Sequence, residues 1–261
     1  MPLTLKLQNV SYNMLVIGRN PIIEILETDP KSLTRVIIMK SNHPHKKLSE
    51  INKLCREAGV PVMYLDRKGF SNYFSSKTKE EGITQGVIAF MKDFQYKPLT
   101  ELLQDLAPIQ NPLLILLDEI TDPHNLGAII RSAAALGADG VIIPKHNSAE
   151  VNHTVIKASA GAVKHIPIVK VTNLANTIRF LKEHNFLIVG TDLKTDKIIF
   201  ETDFKQSIAL IIGSEGKGMR RTIRELCDIT VRIPMTAQVE SLNASVSTAI
   251  FLYEIFRQKN S

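Results

Sequence analysis

Three glycines after an apolar run form the first segment that could bind a small molecule. The run from Ile208 to Ile212 continues into Gly213, Glu215, Gly216 and Gly218, and a helix is predicted to follow. Glycine lets the backbone approach a ligand closely and adopt a positive φ. The spacing is neither that of a phosphate-binding P-loop nor that of a dinucleotide fingerprint. A carboxylate would repel a phosphate, so Glu215 indicates a neutral or cationic ligand, or an arginine partner.

The same segment carries a cluster of cations: Lys217, Arg220, Arg221 and Arg224. Such a cluster can bind RNA phosphates, and it is also typical of a solvated helix face. The whole chain has 32 Lys and Arg against 26 Asp and Glu, a formal net charge of +6. This modest positive balance is compatible with an RNA partner, although many enzymes without one are equally basic.

A second polar segment follows another apolar run, where a helix is predicted to start near Asn125. Arg131 lies on the same helix, roughly opposite its apolar stripe. Asp122, His124 and Asn125 are also typical of helix capping and turns, and Arg131 of an ordinary surface cation.

The third segment begins where Pro234 ends a predicted strand, and it leads into the last helix. Ser241 and Asn243 precede that helix, and either is typical of a helix cap. Small residues fill its first turns, which predicts close backbone contact or a helix interface: Ala244, Ser245, Ser247, Thr248 and Ala249.

The elements that position these segments alternate between strand and helix, which predicts an α/β fold with a mostly parallel sheet. Strands are predicted at residues 113–117, 140–143, 166–169, 186–190, 208–213 and 229–233. Helices are predicted at residues 126–136, 151–160, 174–184, 219–226 and 243–258. Each candidate segment therefore follows a predicted strand.

The first part of the chain predicts a separate, smaller α/β domain. Strands are expected at residues 35–39, 60–65 and 85–91, with helices at 45–58 and from Asn20-Pro21 onward. Three prolines between residues 92 and 112 indicate an interdomain connector with one short helix at 99–106. We therefore predict a first domain at 1–91, a connector at 92–111 and a second domain at 112–261.

Composition excludes several classes of protein. Hydrophobic residues make up 44% and charged residues 22% of 261, which is typical of a globular chain rather than a disordered one. The clean apolar runs are far shorter than the roughly 20 residues of a membrane helix, and the first residues predict no secretory signal. Cys55 and Cys227 lack metal-ligand spacing and fit a reducing compartment. We expect a cytoplasmic protein without a metal ion.

The order of the three segments is more specific than any one of them. The pattern N-x-G-x-x-x-R at 125–131, then G-x-E-G-x-G at 213–218, then I-P-M…S-L-N at 233–243 resembles the signature segments of the SpoU/TrmH family. These are RNA ribose 2′-O-methyltransferases of the SPOUT superfamily. The stretches at 18–26 and 84–89 resemble the small L30e-like RNA-binding domain of the family, and this layout is most similar to its 23S rRNA guanosine-2′-O-methyltransferase branch. Thr84 stands where relatives usually have His, and Ala237 where many have Gly.

This resemblance implies a C-terminal SPOUT domain with a deep trefoil knot that binds S-adenosylmethionine. By the same resemblance, Gly213, Ile233 and Leu242 contact the cofactor, and Thr191 is a further candidate. It also implies a homodimer with the site at the dimer interface. The RNA surface would combine the first domain with the four cations named above.

The resemblance gives Arg131 the central role in methyl transfer to a ribose 2′-hydroxyl. Arginine is not deprotonated in ordinary protein surroundings, so we expect Arg131 to stabilise the alkoxide as it develops. A phosphate or water would take the proton. Asn125 and Glu215 would orient Arg131, and Asn243 or Ser241 would complete the site.

Other functions stay open at this point. The RNA could be a tRNA rather than 23S rRNA, or the chain could be a non-catalytic RNA-binding protein of ribosome assembly. The presence of Asn125, Arg131, Glu215 and Asn243 argues against the non-catalytic alternative. The missing dinucleotide fingerprint disfavours a Rossmann-type enzyme.

Overall fold

The computed structural model describes residues 14–41, 45–75, 84–236 and 241–261. The chain divides into two compact units, Met1–Phe94 and Gln95–Ser261. No helix within the described ranges is both long and apolar enough to cross a membrane. Ala237 lies outside these ranges.

A four-stranded sheet and three helices make up the first unit. The strands are β1 (Met14–Ile17), β2 (Leu33–Met39), β3 (Val62–Leu65) and β4 (Val87–Met91), in the spatial order β1-β4-β2-β3. The helices are α1 (Arg19–Thr28), α2 (Lys46–Ala58) and α3 (Arg67–Ser75).

Helix α2 shows why this part of the chain folds as its pattern predicts. Leu48, Ile51 and Cys55 are spaced three and four residues apart and are all buried on one helix face. Gly59 ends the helix with φ of 69°, a left-handed conformation that glycine adopts readily.

Thr84, just before β4, is buried, and its hydroxyl accepts a hydrogen bond from the Gly86 amide at 3.4 Å.

The second unit is built on a six-stranded sheet whose neighbouring strands are all parallel. Its strands are β5 (Leu113–Asp118), β6 (Gly140–Pro144), β7 (Ile168–Val171), β8 (Leu187–Thr191), β9 (Ile208–Gly213) and β10 (Ile229–Val231). Its helices are α4 (Leu99–Leu106), α5 (Pro123–Ala135), α6 (His153–Ala158), α7 (Leu174–Glu183), α8 (Arg221–Arg224) and α9 (Ala244–Lys259).

The spatial order of this sheet is β10-β8-β9-β5-β6-β7, so β9 and β5 lie at its centre. Every residue of β5 is buried, as is every residue of β9 except Gly213 at its end. These are the two apolar runs seen in the sequence, and burial on both sheet faces explains their uninterrupted hydrophobicity. The predicted α/β class is confirmed.

The segment expected as a connector contributes instead to the core of the second unit. The boundary between the units falls after Phe94, and α4 packs with the central strands. Leu102 is fully buried and Leu106 is 5% exposed. A Cβ on Gly140 would come within 2.9 Å of the Leu102 side chain, so helix and sheet are in close contact here.

Several elements end earlier than their sequence patterns predict. Helix α6 stops at Ala158 because Ala160 and Gly161 both have positive φ, at 49° and 83°. Helix α8 has four residues where eight were predicted, because Met219 and Arg220 belong to the turn that precedes it.

Candidate active site

A pocket of about 450 Å³ lies at the carboxyl ends of β8, β9 and β10 in the second unit. Ligands of parallel α/β sheets bind at this edge, and the volume is typical of a small-molecule site. The pocket wall includes all four residues expected to contact the cofactor, namely Gly213, Ile233, Leu242 and Thr191. Ser241 also lines the pocket.

The glycine segment forms a tight loop on one side of the pocket, and we call residues 213–219 the cofactor loop. Ser214 and Gly218 exchange two backbone hydrogen bonds, of 3.1 and 2.8 Å, which close the loop. A Cβ on Gly213 would lie 2.2 Å from both the Gly218 carbonyl carbon and the Met219 nitrogen. Gly218 has a φ of 67°. Any side chain at Gly213 would therefore force the loop open.

The chemistry of the pocket wall fits S-adenosylmethionine. Ile233, Leu242 and Phe251 supply apolar surface for a flat purine, and backbone amides of the cofactor loop supply donors and acceptors. Two carboxylates, Asp192 and Glu215, also line the pocket. These carboxylates attract a cationic sulfonium. Four cations also line the wall and are suited to the carboxylate of the cofactor: Lys194, Lys217, Arg224 and Arg232.

Asn125, Glu215 and Asn243 form one hydrogen-bonded cluster. The Asn125 Nδ2 donates to Glu215 Oε1 at 2.7 Å, and the Asn243 Nδ2 donates to Asn125 Oδ1 at 3.0 Å and also to Glu215 Oε1. The structure thus brings together the amides of the second and third segments, Asn125 and Asn243, with the carboxylate of the first, Glu215.

Asn243 is at the same time the N-cap of α9. Its Oδ1 accepts hydrogen bonds from the backbone amides of Ser245 and Val246, at 2.9 and 3.3 Å. One end of the side chain satisfies helix donors and the other contacts Glu215. The capping interpretation and the functional one therefore hold together.

Arg131 lies apart from this cluster. Its side chain is exposed, and it makes no hydrogen bond or ion pair with any residue that the structure describes. Asn125 and Arg131 are six residues apart on α5, which separates them by about 120° around the helix axis. The expected orienting contacts from Asn125 and Glu215 are not present within the described part of this chain.

Ser132, the neighbour of Arg131 in the chain, lines a second depression, the groove between α5 and α9. Small residues of α5, Ala128 and Ser132, form one wall of this groove. The α9 wall exposes large apolar side chains, with Val246 47%, Ile250 37% and Tyr253 61% exposed. The opposite face of α9 lines the cofactor pocket, so the helix separates pocket from groove.

The four cations do not form one free surface. Lys217 lies in the cofactor loop and has no ion-pair partner within the described ranges, and Arg221 is 90% exposed beside Glu225. The hydrogen bond that the Arg221 guanidinium donates to the Glu225 carboxylate raises the pKa of Arg221. Arg224 instead contacts Asp192 at 2.6 Å at the pocket wall, and Arg220 contacts Asp118.

Asp118 was not singled out from the sequence, although it is fully buried at the end of β5. The available signal was an acidic residue closing a five-residue apolar run at the carboxyl end of a central strand. Asp192 and Phe251 also line the pocket without a sequence signal that distinguishes them.

Both thiols lie in protected surroundings. Burial raises the pKa of the Cys227 thiol to about 12 and that of Cys55 to about 11. At neutral pH both are protonated, so neither is suited to nucleophilic chemistry.

Two family models match the chain. The model described as the SpoU rRNA Methylase family matches residues 112–253. The model described as RNA 2′-O ribose methyltransferase substrate binding matches residues 15–97.

Individual relatives agree with these matches. The 23S rRNA (guanosine-2′-O-)-methyltransferase RlmB of Escherichia coli K12 is 38% identical over 246 residues, covering 94% of this chain and 99% of the relative. The crystal structure of the SpoU methyltransferase AviRb from Streptomyces viridochromogenes with AdoMet has a TM-score of 0.63 at 27% identity, covering 95% of this chain and 91% of that one. The TrmH/SpoU tRNA modifying enzyme of A. aeolicus is 31% identical with a TM-score of 0.54, covering 62% of this chain and 82% of that one.

Proposed function

The chain belongs to the SpoU rRNA Methylase family and is an S-adenosylmethionine-dependent RNA 2′-O-ribose methyltransferase, and we propose that its substrate is a guanosine of 23S rRNA. The RlmB relatives support this substrate because they match over both units of the chain. The substrate-binding model covers the first unit, in agreement with an RNA-binding role there. The observation that carries the proposal is the pocket whose wall contains both Gly213, with its close backbone approach, and Glu215, which Asn125 and Asn243 hold by hydrogen bonds.

Several residues of this pocket would hold the cofactor. Ile233 and Leu242 provide apolar walls, and Gly213 leaves room for backbone contact. Bound S-adenosylmethionine supplies a methyl group on a cationic sulfur. Glu215 is held by Asn125 and Asn243 and supplies negative charge at the wall of the pocket. The residues that grip the cofactor and those that fix Glu215 are thus parts of the same loop system.

We propose a homodimer in which the partner subunit's Arg131 completes this site. Two observations support it: Arg131 has no partner in the described part of its own chain, and its neighbour Ser132 lines a groove with exposed apolar side chains. Exposed apolar patches of this kind mark protein interfaces. A twofold dimer would bring each Arg131 toward the other subunit.

In the dimer, the guanidinium would hold the ribose 2′-hydroxyl and stabilise its developing negative charge. A phosphate or water takes the proton, because arginine cannot. Ser241, at the pocket wall, is placed to contact the substrate.

Two further features follow from family membership as proposals. We place a deep trefoil knot in the C-terminal part. We place the protein in the cytoplasm, and its free, unpaired cysteines support a reducing compartment.

The substrate is tested by methyl transfer from tritiated S-adenosylmethionine to purified 23S rRNA and to total tRNA, both lacking the modification. We expect label in 23S rRNA, mapped to the 2′-oxygen of a guanosine, and little in tRNA. Asn125→Ala should abolish the label, whereas Asn176→Ala on α7, which lines neither pocket nor groove, should not.

The alternatives predict different results. Transfer to tRNA alone would favour a tRNA substrate. The structural likeness to the A. aeolicus tRNA modifying enzyme is the reason to test this alternative. Cofactor binding without transfer to either RNA would indicate the non-catalytic alternative.

The dimer is tested by subunit complementation. Arg131→Ala and Gly213→Ala subunits, each inactive alone, are co-expressed with different tags and the mixed dimer is isolated. If Arg131 acts across the interface, each mixed dimer has one complete site and should show about half of wild-type activity. If Arg131 acts within its own chain, the mixed dimer should be inactive.

A further inference from the structure

We propose that Asp118 and Arg220 form a positioning pair that holds the cofactor loop, residues 213–219, in its binding shape. The inference deepens the proposed function and rests on it. It also assigns Arg220 a different role from the RNA contact expected from the sequence.

The contact is built around a carboxylate with no access to solvent. The Asp118 side chain is 0% exposed, and its two oxygens accept three hydrogen bonds or ion-pair contacts from one residue. Oδ2 accepts from the Arg220 backbone amide at 2.8 Å, while Oδ1 lies 2.8 Å from Nε and 2.7 Å from Nη2 of its guanidinium. A buried charge is tolerated when it is paired and hydrogen-bonded in this way.

The position of Asp118 and Arg220 explains how they hold the two ends of the cofactor loop together. Asp118 is the partner of Gly213 in the pairing of β5 with β9, so it lies beside the residue where the cofactor loop begins. Arg220 follows Met219 directly, where the loop ends. Asp118 therefore holds the end of the loop next to its beginning, and the chain returns across Gly213 at van der Waals distance.

Glu215 lies between these two anchored ends. Its hydrogen bonds with Asn125 and Asn243 require the loop to reach toward α5 and α9. A loop whose end moves away from Asp118 would shift both Glu215 and the backbone at the pocket wall. The pair thus acts through the loop and does not itself line the pocket: neither residue belongs to the pocket wall.

Arg220 differs in this respect from its neighbour Arg221. The Arg220 guanidinium is turned toward the protein, where Glu119 Oε1 also lies 3.7 Å from its Nε. The Arg221 side chain is 90% exposed. Within the described residues its ion pair is with Glu225, four positions further along the chain. These adjacent arginines provide a matched comparison within one chain.

The test compares Arg220→Ala and Arg220→Lys with the control Arg221→Ala. Calorimetry gives the Kd for S-adenosylmethionine, and steady-state kinetics give separate KM values for cofactor and for 23S rRNA. We expect Arg220→Ala to raise the cofactor Kd at least about tenfold, with the RNA KM changed less than about twofold. Arg220→Lys should recover part of the affinity, because lysine keeps the charge but not the forked donors. Arg221→Ala should leave the cofactor Kd unchanged.

A double-mutant cycle with Asp118→Asn separates positioning from general destabilisation. If the two residues act as a pair, Asp118→Asn with Arg220→Ala should raise the cofactor Kd no more than the worse single variant. Additive effects would contradict the pair. Melting temperatures are recorded for each variant, and if Arg220→Ala does not fold, Arg220→Lys and Asp118→Asn decide the outcome by the same Kd measurement.

Cofactor binding by the wild-type protein distinguishes failure of the proposed function from failure of the positioning pair. Wild-type protein that binds no S-adenosylmethionine contradicts the proposed function. Wild-type protein that binds, together with Arg220 variants that bind equally well and lose RNA affinity, contradicts the positioning pair alone and returns Arg220 to the RNA surface.

Discussion

Single residues of the site differ in whether their own chain gives them a partner. Asn125, Glu215 and Asn243 hold one another, whereas Arg131 contacts none of the described residues by hydrogen bond or ion pair. The first three can be understood within one chain. The role of Arg131 requires groups from outside its own chain, which in our proposal are the RNA substrate and a second subunit.

Arg131→Ala is expected to reduce methyl transfer at least about 100-fold, the usual effect of removing a charge-stabilising donor. The cofactor Kd should change less than about threefold, because Arg131 does not line the pocket. Radiolabel transfer and calorimetry measure the two quantities, with Arg179→Ala on α7 as the control. A parallel loss of cofactor binding would show that Arg131 belongs to the cofactor site.

Gly213→Ala is expected to abolish cofactor binding while the sheet remains folded. Its Cβ would lie 2.2 Å from backbone atoms, which cannot move as a side chain can. Calorimetry with S-adenosylmethionine checks the loss, and circular dichroism checks the fold. Gly216→Ala is the matched control, since nothing lies within 4 Å of a Cβ there. Retained binding in Gly213→Ala would mean that the loop opens without cost.

At the scale of elements, the apolar runs were predictable and the contacts between distant segments were not. Strand β9 has the predicted bounds, and β5 extends one residue further, because fully buried parallel strands need uninterrupted hydrophobic residues. Strand β1 and helix α3 were not predicted. The hydrogen bond between Asn125 and Glu215 joins residues 90 positions apart, and no local pattern encodes it.

The same limit explains the cations around α8. The family resemblance implied an RNA surface that includes all four, but Arg220 and Arg224 meet acidic residues contributed by β5 and by the end of β8. Family resemblance supplied the pocket residues, because the motifs carry them. It did not supply Asp118, which becomes visible only when β5 and β9 pair.

Charge reversal at Lys217 and Arg221, the two cations that do not contact β5 or the end of β8, tests whether they bind RNA. Lys217→Glu with Arg221→Glu is expected to weaken RNA binding and to lower the slope of log affinity against log salt by about 0.7–0.9 for each lost phosphate contact. Fluorescence anisotropy with labelled rRNA at several salt concentrations measures the slope. The control Arg179→Glu reverses one charge on α7, half of the change in the double variant. Equal slopes in the wild type and the double variant would assign both cations to an ordinary solvated surface.

Cys227 links the packing of α8 and β8 to alkaline stability. Burial raises the pKa of its thiol to about 12, so the folded protein keeps the proton above the pH at which the unfolded thiol loses it. Its contribution to stability is therefore complete below about pH 8.5 and is lost as the pH rises toward the folded pKa. Cys227→Ala should flatten the fall of Tm with pH above about 8.5, even if the deleted volume lowers Tm at neutral pH. An unchanged pH slope would contradict the assignment.

At the scale of the whole molecule, we propose that the first unit binds the RNA substrate and the second holds the cofactor and carries out methyl transfer. A fragment of residues 95–261 is expected to fold, dimerise and bind S-adenosylmethionine, because it keeps α4, the sheet and the whole pocket. Its KM for 23S rRNA should rise steeply, because the unit that matches the substrate-binding model is missing. RNA binding as tight as that of the full chain would show that the first unit is not the recognition domain.

A shorter fragment of residues 112–261 serves as the comparison. It lacks Leu102 and Leu106, and exposing the surfaces they cover should cost about 3–6 kcal/mol, a large part of a domain's stability. Denaturant titration of the two fragments measures this difference. Equal stability would mean that α4 is a connector after all.

Because the Asn243 side chain both caps α9 and holds Glu215, stability and catalysis constrain the evolution of the same residue. A lineage that loses its RNA target still needs the cap on α9, and Asn243 joins that cap to Glu215 and Asn125. Selection for a stable fold therefore acts on Asn243 through the cap, and on Asn125 and Glu215 through their hydrogen bonds with it. Arg131 holds nothing in place within the described chain, so mutation can remove it at little cost in stability. Among descendants, retention of that arginine, rather than of the asparagines, is the mark of continued methylation.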